Sequence, residues 1–162
     1  MDATPDPTCN IKEIARQYLE KIRQRNDPLL KPWNDAAIGN PLQVFTVNLE
    51  PSFWIIPVQL NQKVIGHIEI DNGRVTGFTL FYKNPESIQT CPKVVTRITA
   101  GEAKLEAKGI LKKHINAVIS EPVFVHDGPK NRLAWMFNVR YDDQIRYQVF
   151  ATPGYAYQRQ II

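Results

Sequence analysis

The sequence predicts an α+β protein built from two successive units, each a helix followed by an antiparallel meander, and three observations carry that prediction. One apolar stripe with helical spacing runs from Ile11 to Ile22, and another begins at Ala103. After each stripe the apolar period changes from 3.6 to 2, the change that separates a half-buried helix from a half-buried strand. Landmarks also keep step along the chain: Cys9 precedes the first helix as Cys91 precedes the second, and Gly73 corresponds to Gly154. This order of parts reads as an internal repeat, with a leader over residues 1–9, a first unit over 10–90 and a second over 91–162, the two units being able to share one compact domain.

The leader, rich in Asp, Thr and Pro, is expected to be flexible. Asn10 and Glu13 have the spacing of a capping box, and Ile11, Ile14, Ala15, Tyr18, Leu19 and Ile22 follow on one helical face. Pro28 ends the helix, because its ring cannot continue the ladder. Residues 27–41 contain Pro28, Pro32 and Pro41 and read as a connection that tucks Leu29, Leu30 and Trp33 against the core. About four strands are then expected. Phe45, Val47 and Leu49 alternate; Phe53–Leu60 is a nearly continuous apolar run; Val64, Gly66, Ile68 and Ile70 alternate, as do Val75, Gly77, Thr79 and Phe81. Asp71-Asn72-Gly73 joins the last two as a tight turn, Gly66 and Gly77 relieve strain where the sheet bends, and Pro57 marks an edge or a bulge.

In the second half Thr99 and Glu102 form another capping box, and Ala103, Ala107, Ile110, Leu111 and His114 trace one face of a helix ending before Glu121-Pro122. Strands follow at Pro122–His126, at Leu133–Asp142 with Leu133, Trp135, Phe137, Val139 and Tyr141 on one face, at Gln144–Ala151 with Ile145, Tyr147 and Val149 on one face, and from Gly154 onward. Thr152-Pro153-Gly154 supplies the last turn.

With 162 residues, of which 43% are hydrophobic, the chain can bury a real core. No window approaches the roughly 20 apolar residues of a membrane helix, and the N-terminal residues lack the basic-then-apolar order of a signal peptide. Compartment stays open. The net charge of +4 comes from 20 basic and 16 acidic residues that are interspersed, so a nucleic-acid partner is disfavoured. Cys9 and Cys91 leave two readings open, one disulfide or two separate thiols, and their spacing fits no metal motif.

The stretch Ile98–His114 ("ITAGEAKLEAKGILKKH") together with Leu133–Gln160 resembles a PepSY-type domain, in its opening helix and in its paired strands with a closing glycine turn. Val64–Phe78 resembles the same arrangement more loosely; Ala151-Thr152-Pro153-Gly154 stands where that family has an acidic closing turn. The resemblance implies a cystatin-like layout, with a curved antiparallel sheet packed on one helix in each unit. It implies non-catalytic binding to another protein, including a peptidase that such a domain would inhibit, and an extracytoplasmic setting. No functional residue transfers from it.

Candidate chemistry is sparse. His67, His114 and His126 lack the spacing of a metal site or an acid/base pair and read as strand surface, helix end and turn; no cofactor, catalytic residue or metal is expected. Lys104, Lys108 and Lys112 line one helix face, which reads as a solvated face with local ion pairs. Trp54 and Trp135 are expected in the core. Tyr155 and Tyr157 on the last strand, with the loop residues His126, Lys130 and Arg132, are the partner-binding candidates, since tyrosine joins large area to a polar tip and a sheet edge offers unpaired backbone groups. Two other classes stay open: a small-ligand carrier with Trp54, Phe78 and Phe137 lining a concave pocket, and an enzyme that uses the histidines.

Overall fold

Asp6 opens the first helix, α1 (Pro7–Arg23), by accepting a hydrogen bond from the Thr8 amide at 2.9 Å. Pro7 follows at a position where an amide donor has no intrahelical partner to lose. In this computed structural model, which describes residues 6–111 and 116–161, the helix thus begins ahead of the expected Asn10–Glu13 box. Asn10 lies within the helix, and the Glu13 carboxylate lies 3.5 Å from both Arg16 and Gln17. The chain divides into two compact α+β units, one made of the chain as far as Gln43 together with Ser52–Val95, the other of Val44–Pro51 together with the chain from Thr96. Neither is a continuous half, because a short piece from the middle of the first half belongs to the second unit.

In the first unit Ile11, Ala15, Leu19 and Ile22 of α1 enter the core as the apolar stripe predicts. The connection after α1 is more ordered than its prolines suggest. Asp27 caps the Leu29 amide at 2.9 Å and opens a 3-10 helix over Pro28–Asp35, which buries Leu30 and Trp33. Leu29 remains 40% exposed, against expectation; its carbonyl instead accepts from the Tyr82 hydroxyl at 2.7 Å. A two-residue strand, β1 (Ala37–Ile38), pairs with β3 (Pro51–Leu60), and β3, β4 (Lys63–Asp71) and β5 (Arg74–Leu80) form an antiparallel meander. Pro57 lies beside a register shift between Val58 and Gln59, as a strand proline should. Asn72 (φ +53°) and Gly73 (φ +78°) make the predicted tight turn. Gly66 has a packing role: a Cβ there would stand 2.3 Å from the Thr79 carbonyl oxygen and 3.1 Å from the Trp33 ring. Trp33 in turn meets Phe78 edge-on at 5.3 Å.

The second unit starts with α2 (Ala100–Ile110), where the predicted capping box is complete: the Glu102 amide donates to Thr99 Oγ1 at 3.1 Å and the Thr99 amide to Glu102 Oε1 at 3.2 Å. Ala103, Ala107 and Leu111 pack on Phe137, Val139, Val149 and Ala151. His114 and Lys112 lie outside the described residues. The sheet runs β10 (Tyr155–Gln160), β9 (Gln144–Thr152), β8 (Leu133–Tyr141), β7 (Val123–His126), all antiparallel, with β6 (Val118–Ile119) also pairing with β8. The strand expected over Phe45, Val47 and Leu49 is shorter and differently placed. As β2 (Leu42–Thr46) it pairs in parallel with β7, Phe45 opposite Val125 and Thr46 opposite His126. It stops because Thr46 Oγ1 accepts from the Asn48 and Glu50 amides, a side-chain turn that competes with the ladder and leaves Leu49 47% exposed. The sheet of this unit is apolar on both sides. Trp135, Phe137 and Val139 face α2, while Ala134, Met136 and Phe150 pack with Val125 and with Phe45, Val47 and Tyr157.

Candidate functional site

On β10 the side chains of Tyr155, Tyr157 and Arg159 alternate onto the sheet face that α2 does not cover, since Ala156 packs with the α2 core and Tyr157 with the other. Tyr157 stacks on Phe150, its cross-strand neighbour, with ring centres 5.0 Å apart and planes at 17°. Tyr155 continues the stack at 6.2 Å and 28°, and Arg159 holds its guanidinium 5.2 Å from the centre of the Phe150 ring. Pairs of this kind contribute about 0.5–1 kcal/mol each beyond area burial.

A buried carboxylate holds the group together. Asp127, 4% exposed, accepts from both ends of the Arg159 guanidinium at 2.8 and 2.9 Å and from the Tyr157 hydroxyl at 2.7 Å. Burial by itself would raise the Asp127 carboxyl, but the bonds from Arg159 and Tyr157 outweigh it and hold the group below the usual carboxylate range. Burial, and then the bond to the Asp127 carboxylate, push the Tyr157 phenol well above its ordinary value. An ionised carboxylate with both oxygens engaged, beside a phenol that keeps its proton, is a clamp and a poor proton acceptor.

The loop that carries Asp127 is itself closed. The Asp127 amide donates to the Arg132 carbonyl at 2.8 Å, the Arg132 amide to the Pro129 carbonyl at 3.0 Å, and Gly128 takes φ +80°. His126 Nδ1 lies 2.9 Å from the Gly128 carbonyl oxygen. Lys130 and Arg132 are exposed, and Tyr155 is 60% exposed. Structure therefore gathers Tyr157 and the loop around Asp127, leaves the side chains of Tyr155, Lys130 and Arg132 exposed, and makes Tyr157 a support for Tyr155 more than a contact surface.

Asp127 and Arg159 are absent from the sequence-derived candidates. Arg159 carried a readable signal, since it shares the alternation of Tyr155 and Tyr157. Asp127 carried none, because Asp-Gly reads as a turn and nothing local joins it to a strand about thirty residues later. The remaining candidates are dispersed. His67 is buried in β4, not on the strand surface, with Nε2 3.5 Å from Glu69 Oε1 and its ring edge-on to Phe81 at 5.5 Å. His126 belongs to the other unit. No cluster of His, Cys, Asp and Glu able to hold a metal occurs among the described residues.

Cys9 is exposed on α1, whereas Cys91 is 2% exposed with Sγ 3.7 Å from the Phe81 carbonyl oxygen; both are free cysteines in the structure. Phe137 is buried in the core of the second unit, and Phe78 and Trp54 pack, partly buried, against the core of the first. A shallow cleft of about 320 Å³ opens at Tyr141, Arg146, Tyr147 and Gln160. No helix among the described residues is long and apolar enough to cross a membrane. Comparison of the chain with protein-family models, with curated proteins and with solved structures finds no match.

Proposed function

We propose that this protein is a non-enzymatic binding module that engages another protein through Tyr155 and the loop from His126 to Arg132. One observation carries the reading: an exposed tyrosine is held in place by a stack onto Tyr157, which Asp127 fixes from below. A contact residue that loses little freedom on association contributes more of its buried area to affinity, and tyrosine flanked by Lys130 and Arg132 matches the composition of interface anchors. The cations favour a partner with an acidic surface. The resemblance to PepSY-type domains supports a peptidase as that partner. In this reading the two units are also versions of one α+β module, supported by the positive φ of both Gly73 and Gly154 in their turns.

The test is a pull-down with the tagged full chain from native extract and from culture medium, repeated at high salt and compared with Tyr155→Ala and with Lys130→Ala/Arg132→Ala. A partner retained by the wild type, lost with Tyr155→Ala and weakened by the double variant is the expected result. Binding that survives all three substitutions, or no specific protein in any fraction, sinks the proposal.

A further inference from the structure

The edge of β10 has a self-complementary pattern. The strand pairs only with β9 among the described residues, and its register fixes which backbone groups are spent. The Ile161 amide donates to the Arg146 carbonyl at 2.8 Å, which places Ile161 in a hydrogen-bonded pair. By the alternation of antiparallel ladders, Tyr155, Tyr157 and Arg159 also turn their amides and carbonyls toward β9, while those of Ala156, Gln158 and Gln160 point outward. Natural edges are commonly blunted by lysine, proline or a bulge. "YAYQRQ" has no lysine, proline or bulge, and its one charge, Arg159, is engaged by Asp127.

We infer that this edge is the interface for a second copy of the chain, related by a two-fold axis through Gln158 and paired antiparallel with it. Centring on Gln158 uses every outward group reciprocally: Gln158 meets Gln158 of the other copy, and Ala156 meets Gln160. The same register sets Tyr157 opposite Arg159, and sets Tyr155, 60% exposed, opposite Ile161, 39% exposed. These two exposed apolar side chains are equidistant from the axis, one at each end of the strand. Moving the axis to Arg159 would set one guanidinium directly against its copy, a repulsive cross-strand pair. Moving it to Tyr157 would leave the Gln160 groups outside the reciprocal pairs. The Arg159 charge in the chosen register is already met by Asp127. A dimer of this kind would join the Tyr155 faces of both copies into one surface, so it extends the binding proposal without depending on it.

Sedimentation velocity of the full chain across micromolar to submillimolar concentrations tests the inference, with Gln158→Pro as the variant. Proline removes an amide that points away from β9, so the monomer keeps its own ladder. The expected result is a dimer for the wild type and, for the variant, at least a tenfold weaker association with an unchanged circular dichroism spectrum. A wild type that stays monomeric throughout overturns the inference, as does a Gln158→Pro protein that folds and still dimerises. Should Gln158→Pro fail to fold, single added cysteines in a Cys9→Ser background decide, the remaining Cys91 being buried. Gln158→Cys must cross-link to itself under mild oxidation and Gln160→Cys must not; equal cross-linking, or none, overturns the pairing.

Discussion

Replacing Arg159 with leucine keeps most of the side-chain volume and leaves the Asp127 carboxylate buried with the Tyr157 hydroxyl as its remaining hydrogen-bond donor. Deleting one partner of a fully buried ion pair costs about 3–5 kcal/mol. Asp127 meets that condition at 4% exposure, but the Arg159 side chain is 50% exposed, so water can replace part of what is lost. The discounted expectation is about 2 kcal/mol, including a few tenths for the cation over Phe150. With a urea slope of about 2 kcal/mol/M the midpoint falls by about 1 M, read by tryptophan fluorescence, where Trp135 reports the second unit. The pH dependence gives a second reading. The Asp127 carboxyl is depressed in the folded protein, so the unfolded chain binds its proton first and the stabilisation is whole above the ordinary carboxylate value of about 3.9. It is lost as pH falls further, through the folded value. Arg159→Leu should therefore cost its full amount at pH 7 and progressively less at acid pH, as the variant's buried carboxyl, no longer held down by Arg159, takes up its proton before the wild-type one does. Asp127→Asn/Arg159→Leu should be no less stable than Arg159→Leu at neutral pH. An unchanged midpoint, or a penalty equal at pH 7 and pH 3, would refute the clamp.

Other expectations concern the scaffold. Gly66→Ala should destabilise by about 2–3 kcal/mol in thermal or urea unfolding, because its methyl group meets a backbone oxygen and the Trp33 ring. Gly77→Ala, with nothing within 4 Å of the added atom, should change stability by no more than about 0.5 kcal/mol; similar losses at both sites would contradict the packing described. Cys9 should react with a thiol reagent in the native protein and Cys91 only after unfolding, since burial both covers the Cys91 thiol and raises it above its ordinary value. Intact mass without reductant should correspond to two thiols. Thr99→Ala should cost about 1 kcal/mol through loss of its cap, and a value near zero would mean that α2 starts elsewhere.

How far the residues alone reach differs between element and site. The Thr99–Glu102 box, the Asn72-Gly73 turn and the stripe from Ile11 to Ile22 were readable because each rests on contacts within a few residues, where chain geometry fixes who meets whom. The start of α1 was misplaced by a local competition that Asp6 and Pro7 win over Asn10. The end of β2 was missed because the alternation at Phe45, Val47 and Leu49 persists through a turn made by Thr46 Oγ1. Tyr155 and Tyr157 could be placed on one strand face, yet their different roles could not be seen. Which tyrosine is exposed and which is clamped depends on Asp127, and Asp127 reaches β10 only through the register of strands far apart in the chain. His67 shows the same limit: its alternation with Ile65 and Glu69 identifies a face, and only the packing of the folded unit buries it. Local hydrogen bonding and periodicity act over one turn or one hairpin, so they are written in neighbouring residues. Burial, ionic pairing and the choice of exposed surface are sums over the whole chain, and only the tertiary structure supplies them.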